Sequence, residues 1–330
     1  MKAVWIREFG DADVLEIREV PDPPAPSGRQ VLISIKAAGL NRADLLQRKG
    51  LYPPPAGVSA NIPGLEFSGE VIDIGSGVTR VKPSDRVFGI ASGETQAEML
   101  LSDEGLVAKI PENLTYTDAA AVPEAFITAN DAVFTQAGLT AGEVLLVHAV
   151  GSGVGLAALQ LAKAAQASVY GTSRTAEKLE RCRRLGLDEG IVPDNDAGFS
   201  ERVLELSGGR GVDCILDLVG GRYFGENLKS LALRGRMMLV GLTAGSKAEI
   251  DLGLVLRKRA KLIGTVLRSR ALEEKAAVTE QFAQSVVPLL ANGTVQPNVD
   301  RVFAMADVAA AHRYLSSNES FGKVVLEIQS

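Results

Sequence analysis

Cysteine and histidine are scarce in this chain of 330 residues, with two of each. Cys182 and Cys214 cannot build a disulfide framework, and such sparing use fits a reducing compartment; a cytoplasmic location is expected. A catalytic zinc takes about three protein ligands, usually Cys, His and carboxylates. None of Cys182, Cys214, His148 and His312 lies in the first 140 residues, and both histidines read as structural, so no metal site is expected. No apolar run approaches the roughly 20 residues that cross a bilayer. Residues 1–10 hold no apolar core of a secretory signal, and no membrane partner is expected. Basic charge is not in excess: 35 Lys and Arg face 40 Asp and Glu, for a formal net charge of -5. That balance argues against a general polyanion binder, and nucleic acid is not an expected partner. Basic clusters at 181–184 and 257–261 read as solvated faces. Internal repeats and low-complexity tracts are absent as well.

What remains is an ordinary globular composition, 46% hydrophobic and 23% charged, at a length that favours about two domains. Residues 1–122 are β-rich. Strand-like segments at 31–37 and 69–74 are separated by Pro/Gly turns at 21–27, 53–57 and 75–77, which suits a compact barrel-like β domain. Pro123 then fits the first turn of a helix reaching residue 134. From Glu143 the pattern alternates: strand 144–147, helix 156–165, strand 168–171, helix 176–185, then β-like runs at 214–218, 236–240 and 262–267. Such alternation predicts a parallel, doubly wound sheet. An amphipathic helix over 273–290, a second over 307–316 and a strand at 323–328 complete the chain. This order of elements suggests domains at 1–122 and 123–265, with 266–330 returning to the first, and a cleft between them for cofactor and substrate.

The densest signal is residues 143–164, EVLLVHAVGSGVGLAALQLAKA. A buried strand leads into Gly151, Ser152, Gly153 and Gly155, and an Ala/Leu-rich helix follows. Backbone N–H groups and a helix N-terminus placed this way face a pyrophosphate. The glycines are each two apart, so the strict G-x-G-x-x-G spacing is not met, and a tight turn without a ligand is the plain alternative. The βα alternation on both sides favours a dinucleotide. An NAD site places Asp or Glu at the end of the second strand, on the ribose 2′-hydroxyl. Residues 170–175, YGTSRT, contain no acid. Thr172, Ser173 and Arg174, with Lys178 one turn later, offer the donors and charge that a 2′-phosphate needs, unless Arg174 and Lys178 only decorate a solvated helix start. NADPH is the expected cofactor. Without a Lewis acid, the reductions within reach are hydride additions to electron-poor acceptors such as quinones and conjugated enones.

Several segments together make the chain resemble the zinc-free quinone oxidoreductase (zeta-crystallin-like) branch of the medium-chain dehydrogenases/reductases. They are AGLNRAD at 38–44, GLYPPP at 50–55, PGLEFSG at 63–69, AVPEAFITA at 121–129, residues 148–155, Gly241–Leu242 after a strand, LRSR at 267–270 and GKVVL at 322–326. Zinc dehydrogenases carry Cys where 39–41 lies and His before the equivalent of Glu66; this chain has neither. Ser152 and Pro193 depart from the pattern, standing where many relatives have glycine and several have tyrosine.

The resemblance implies an α/β fold, with a Rossmann doubly wound parallel sheet plus a GroES-like β-barrel substrate domain, in a homodimer. It implies that Tyr52 lies beside the nicotinamide with Asn41 nearby, and that Thr128 faces the nicotinamide. Ser152, Gly153 and Val154 would hold the pyrophosphate; Ser173, Arg174 and Lys178 would hold the 2′-phosphate. Gly241, Leu242, Leu267 and Arg268 would meet the carboxamide and ribose through backbone groups, and Gly322 and Lys323 would close the site. Plainer readings are an N-cap for Asn41, loop packing for Tyr52 and a surface ion pair for Arg268. No residue stands out as an indispensable acid or base. The implied activity is NADPH-dependent reduction of a quinone; an enone or enoyl-thioester reductase, with Tyr52 as proton donor, and a low-turnover NADPH-binding sensor or structural protein are the alternatives.

Overall fold

The computed structural model describes residues 1–194 and 198–328. Contacts divide the chain into two compact units, Met1–Ile127 with Leu267–Ser330, and Thr128–Val266. Among the described residues no helix is long and apolar enough to cross a membrane.

Among the described residues the second unit is built on six parallel strands in the order Glu189–Ile191, Ser168–Thr172, Val144–Val147, Val212–Asp217, Leu231–Leu239 and Lys261–Gly264. This is the α/β, doubly wound arrangement read from the sequence. Chain order runs outward in one direction from Val144–Val147, then reverses and continues from Val212–Asp217 on its other side. Ligands of such sheets bind outside the carboxyl ends of the strands at that reversal. The central strands are apolar along their length because both faces are covered: Leu145, Leu146, Val147, Cys214, Ile215 and Leu216 are all fully buried. The helix Gly153–Ala164 is buried nearly all round, at Gly155 through Leu159 and at Leu161 and Ala162, as a helix apolar on every face must be.

In the first unit the described residues form a seven-stranded sheet centred on the long strand Gln30–Leu40. Glu66–Ile74, Lys323–Glu327 and Met99–Asp103 all pair with it antiparallel. The pairings among the described residues trace an open path from Val299–Ala304 at one end to Val107–Lys109 at the other. Val31, Ile33 and Ile35 alternate inward with strand period and meet Phe67, Val71, Val87, Val324 and Leu326. The segment 273–290, read from sequence as one helix, forms two, Leu272–Ser285 and Val287–Ala291. Pro288 lacks an N–H and its ring opposes a carbonyl one turn back, so the helix restarts there. Phe282 on the first of them meets Phe88 edge to face, with centroids 5.6 Å apart. Such a pair adds about 1 kcal/mol beyond the area it buries.

Candidate functional site

The glycine turn follows Val144–Val147. Ala149 adopts φ 48°, left-handed backbone that costs a non-glycine residue roughly 1–2 kcal/mol. The chain then swings into Gly153–Ala164, where the Ser152 Oγ accepts from the Gly155 N–H at 3.2 Å as N-cap. The amides of Gly153 and Val154 have no partner among the described residues. Two free amides at the positive end of a three-turn helix make a seat for an anion. Gly155 permits the close approach: a Cβ there would lie 2.6 Å from the Ala149 carbonyl oxygen and 2.7 Å from that of Val150. These residues therefore fit a dinucleotide pyrophosphate.

Other residues singled out in the sequence also follow carboxyl ends of parallel strands. Ser173 comes directly after Ser168–Thr172 and is buried, with its N–H donating to the Ile191 carbonyl at 3.1 Å. Arg174 is exposed, and Lys178 lies half-buried on Ala176–Arg183. Gly241 and Leu242 come after Leu231–Leu239, and the Gly241 N–H donates to the Asp217 carbonyl at 3.2 Å. Thr128 lies on the helix Pro123–Asn130 and is partly exposed.

Behind these strand ends runs a buried chain of polar groups. Thr172 Oγ1 and His148 Nδ1 are 2.9 Å apart, His148 Nε2 and Asn227 Oδ1 2.5 Å, and Asn227 Nδ2 donates to Asp217 Oδ2 at 2.9 Å. Asp217 Oδ1 accepts from the Val219 and Gly220 amides at 2.8 and 2.9 Å. Burial lowers the His148 pKa. A neutral ring that donates from Nε2 to the Asn227 oxygen and accepts the Thr172 hydroxyl at Nδ1 satisfies every atom, which assigns the tautomer. His148 is thus structural, and Thr172 turns inward, away from the role of a phosphate ligand offered to it by the sequence. The chain ties three strand ends together and so fixes the turn it underlies.

The first unit collects a second polar cluster. Asn41 occupies the N-cap position of Arg42–Arg48, yet its side chain does not cap. Asp44 caps instead, with Oδ2 accepting the Asn41 N–H at 2.7 Å and Oδ1 accepting the Gly64 N–H at 3.0 Å. The freed Asn41 amide donates to Glu66 Oε1 at 2.9 Å and accepts from Lys323 Nζ at 2.7 Å. Lys323 also donates to the Leu40 carbonyl at 2.8 Å and forms an ion pair with Glu66. Glu66 is fully buried, and its Oε2 accepts the Glu124 N–H at 2.9 Å. Gly39 makes room for it, since a Cβ there would lie 2.5 Å from the Ala120 carbonyl oxygen and closer still to the Glu66 carboxylate. Burial pushes the Asp44 carboxyl up to about 6, against the opposing pull of its N–H donors and Lys323. Burial and then the Glu66 charge push Glu124 up to about 8.

Tyr52 and Arg268 also come together. The guanidinium sits over the Tyr52 ring, 5.0 Å from its centroid. It donates to the Ser92 carbonyl at 2.7 Å, the Tyr52 carbonyl at 3.1 Å and Gln47 Oε1 at 2.5 Å. Arg268 is 4% exposed, so the surface ion-pair reading fails: its donors are spent on backbone and amide oxygens that hold the Tyr52 loop. Leu267 beside it is buried. Gly322 takes φ +95° just before Lys323.

Asp44, Glu66 and Glu124 are the residues that sequence reasoning passed over. A weak signal existed for Glu124, an acid within the mostly apolar stretch 119–129. Among the described residues no three His, Cys, Asp or Glu side chains are grouped to hold a metal ion.

Comparison with known proteins matches residues 27–129 to the alcohol dehydrogenase GroES-like domain and residues 153–290 to the zinc-binding dehydrogenase family. The chain is 32% identical over 319 residues to quinone oxidoreductase-like protein 2 of Mus musculus, covering 96% of this chain and 89% of that protein. It is 30% identical over 328 residues to quinone oxidoreductase of Rattus norvegicus, covering 99% and 97%. Among solved structures, a mycobacterial protein complexed with NADPH superposes with a TM-score of 0.89 at 28% identity, over 99% of this chain and 100% of that one. JamJ enoyl reductase in its apo form gives 0.89 at 25%, over 99% of both chains.

Proposed function

This chain belongs to the quinone oxidoreductase branch of the medium-chain dehydrogenases/reductases, and we propose that it uses NADPH to reduce small quinones without zinc. As an oxidoreductase of that superfamily it binds a nicotinamide cofactor, which supplies hydride when bound. The observation that carries NADPH over NADH is the carboxyl end of Ser168–Thr172, where Ser173 and Arg174 stand and no acid does. Ser152, Gly153 and Val154 take the pyrophosphate; Ser173, Arg174 and Lys178 take the 2′-phosphate. Tyr52, held by Arg268, and Asn41, held by Glu66 and Lys323, orient the acceptor. Lys323 acts by positioning, because its three protons are committed to Leu40, Asn41 and Glu66. Zinc independence is supported by the lack of Cys and His in the first 140 residues.

The likeness to an enoyl reductase favours a second acceptor class, enones and enoyl thioesters. Oxidation of NADPH and NADH, followed in parallel with quinones, enones and enoyl thioesters, separates the two. Quinone turnover with NADPH preferred is expected, and Arg174→Glu should raise the KM for NADPH about 10- to 100-fold, the worth of a charge-assisted contact, while sparing NADH. Binding of NADPH with no turnover of any acceptor sinks the enzyme reading in favour of a sensor.

We also propose a homodimer. Lys261–Gly264 is an edge strand, and the preceding helix Leu252–Lys258 buries none of its residues. Leu252 and Leu256 are 69% and 76% exposed, with Leu262 and Val266 also in solvent. An apolar, unpaired edge invites a second copy. Sedimentation should give twice the chain mass, and Leu256→Glu with Leu262→Lys should give the monomer; a wild-type monomer ends the idea.

A further inference from the structure

We propose that Glu124 is the acid of the reaction, delivering its carboxyl proton to the acceptor oxygen that becomes negative when hydride is taken up. This rests on the reductase reading above. The first unit's cluster has few positive charges to spare. Lys323 is the cation at its centre, and each of its three N–H bonds has a taker: Leu40 O, Asn41 Oδ1 and Glu66. Glu66 is equally complete. One oxygen takes Asn41 Nδ2 and Lys323, and the other takes the Glu124 backbone N–H. That last bond ties the second carboxyl-bearing residue to the first, but only through its main chain.

The Glu124 side chain has no hydrogen-bond partner among the described residues, while the acids and bases around it are Glu66, Asp44, Lys323, Arg268, Lys275 and Tyr52. None of the three cations donates to Glu124 among the described residues. Arg268 donates to Ser92, Tyr52 and Gln47, and Lys275 Nζ donates to Ser92 Oγ at 2.5 Å. Two acids, one of them a carboxylate in a filled ion pair, lie close by. A carboxyl with acidic neighbours and no committed donor keeps its proton at neutral pH. It also differs from Glu66 in access: Glu66 is fully buried, whereas Glu124 is partly exposed. A neutral acid that has an open side, and whose main chain is joined through Glu66 to Asn41 by bonds of 2.9 Å each, is placed to give a proton rather than to hold the fold.

The step balances. Hydride brings the acceptor two electrons and one proton and leaves an oxyanion. The Glu124 O–H bond breaks, an O–H bond forms on the acceptor oxygen, and the carboxylate regains its proton from water. Acceptor, NADPH and one proton thus give the dihydro product and NADP⁺.

Two measurements test the assignment. In the ligand-free protein labelled at glutamate Cδ, one carboxyl should titrate near pH 8, and that resonance should be missing in Glu124→Gln. In turnover at saturating NADPH and acceptor, kcat should be flat below about pH 8 and then fall tenfold per pH unit. Glu124→Gln should lose tenfold or more of kcat at pH 7 and lose the alkaline limb, with the KM for NADPH unchanged. Glu124→Asp, which keeps an acid, should retain the limb and guards against a variant that fails to fold. A Glu124 carboxyl titrating near 4 in an enzyme that turns over, or Glu124→Gln with wild-type kcat and limb, overturns the acid alone. No turnover of any acceptor while the carboxyl titrates near 8 overturns the reductase reading, and this role with it.

Discussion

Each unit buries one polar cluster, and the two are built on opposite principles. In the second unit, Thr172, His148 and Asn227 pass hydrogen bonds in a single direction to Asp217, whose other oxygen accepts two backbone amides. Every donor has an acceptor. Phe199 and Tyr223 wall the imidazole at 4.8 and 5.0 Å between centroids, so water is kept from it. In the first unit three carboxyls, Asp44, Glu66 and Glu124, surround one central lysine, and the lysine is used up on Glu66. A closed network rigidifies what it touches, here the ends of three strands beneath the glycine turn. An open one leaves a group with capacity for chemistry.

The contrast is testable by removing one member of each. Lys323→Met leaves the Glu66 carboxylate buried without its cation and should cost about 3–5 kcal/mol of stability. Lys323→Met combined with Glu66→Gln should recover much of that, since the charge goes with its partner. Asn227→Ala strands the His148 Nε2–H and Asp217 Oδ2, while Asp217 Oδ1 keeps its two backbone amides, and should cost about 1–3 kcal/mol. Urea unfolding of the three proteins gives the order. If Asn227→Ala were the more damaging, or the double variant no better than Lys323→Met, the distinction between a cluster built on a buried ion pair and one closed by hydrogen bonds would fail.

The two clusters were unequally legible in the sequence. The strand, turn and helix at 143–164 are local: the apolar run, the glycines and the helical spacing lie within 22 residues, and the parallel sheet follows from repetition of that unit. His148 could be read as structural because it ends a buried strand. The first unit's cluster is assembled from distant places. Glu66 bonds Glu124 across 58 positions, and Lys323 bonds Asn41 across 282. Seen alone, Glu124 is an acid in the first turn of a helix, where the macrodipole favours one anyway. Asn41 has the sequence of an N-cap and stands at the cap position, yet Asp44 three residues on takes the capping bond and releases the Asn41 side chain. Arg268 reads as a surface charge because its acceptors, two backbone carbonyls and a glutamine oxygen, leave no mark in the sequence around it. Periodicity reports which face is buried; it does not report which polar groups meet there.

The gentlest way to separate the clusters is by pH, where they pull in opposite directions. Glu124 rises from an ordinary 4.5 to about 8 in the folded chain, through burial first and the Glu66 charge second. Between those two values the folded protein holds a proton that the unfolded chain has released, so stability falls as pH rises and is level again above 8. His148 is lowered from 6.5 by burial. Below 6.5 the unfolded chain takes up a proton that the folded ring refuses, so stability falls as pH drops. Each group contributes a slope of about 1.4 kcal/mol per pH unit inside its window. Relative to wild type, Glu124→Gln should therefore gain about 1.4 kcal/mol between pH 6 and 7, and His148→Gln should gain at a similar slope only below 6.5. Denaturant melts at half-unit intervals from pH 5 to 8.5 resolve both. A Glu124→Gln curve parallel to wild type from pH 5.5 to 8 would mean that Glu124 is ionised throughout, with a cation shared after all, and the open cluster would be as closed as the other.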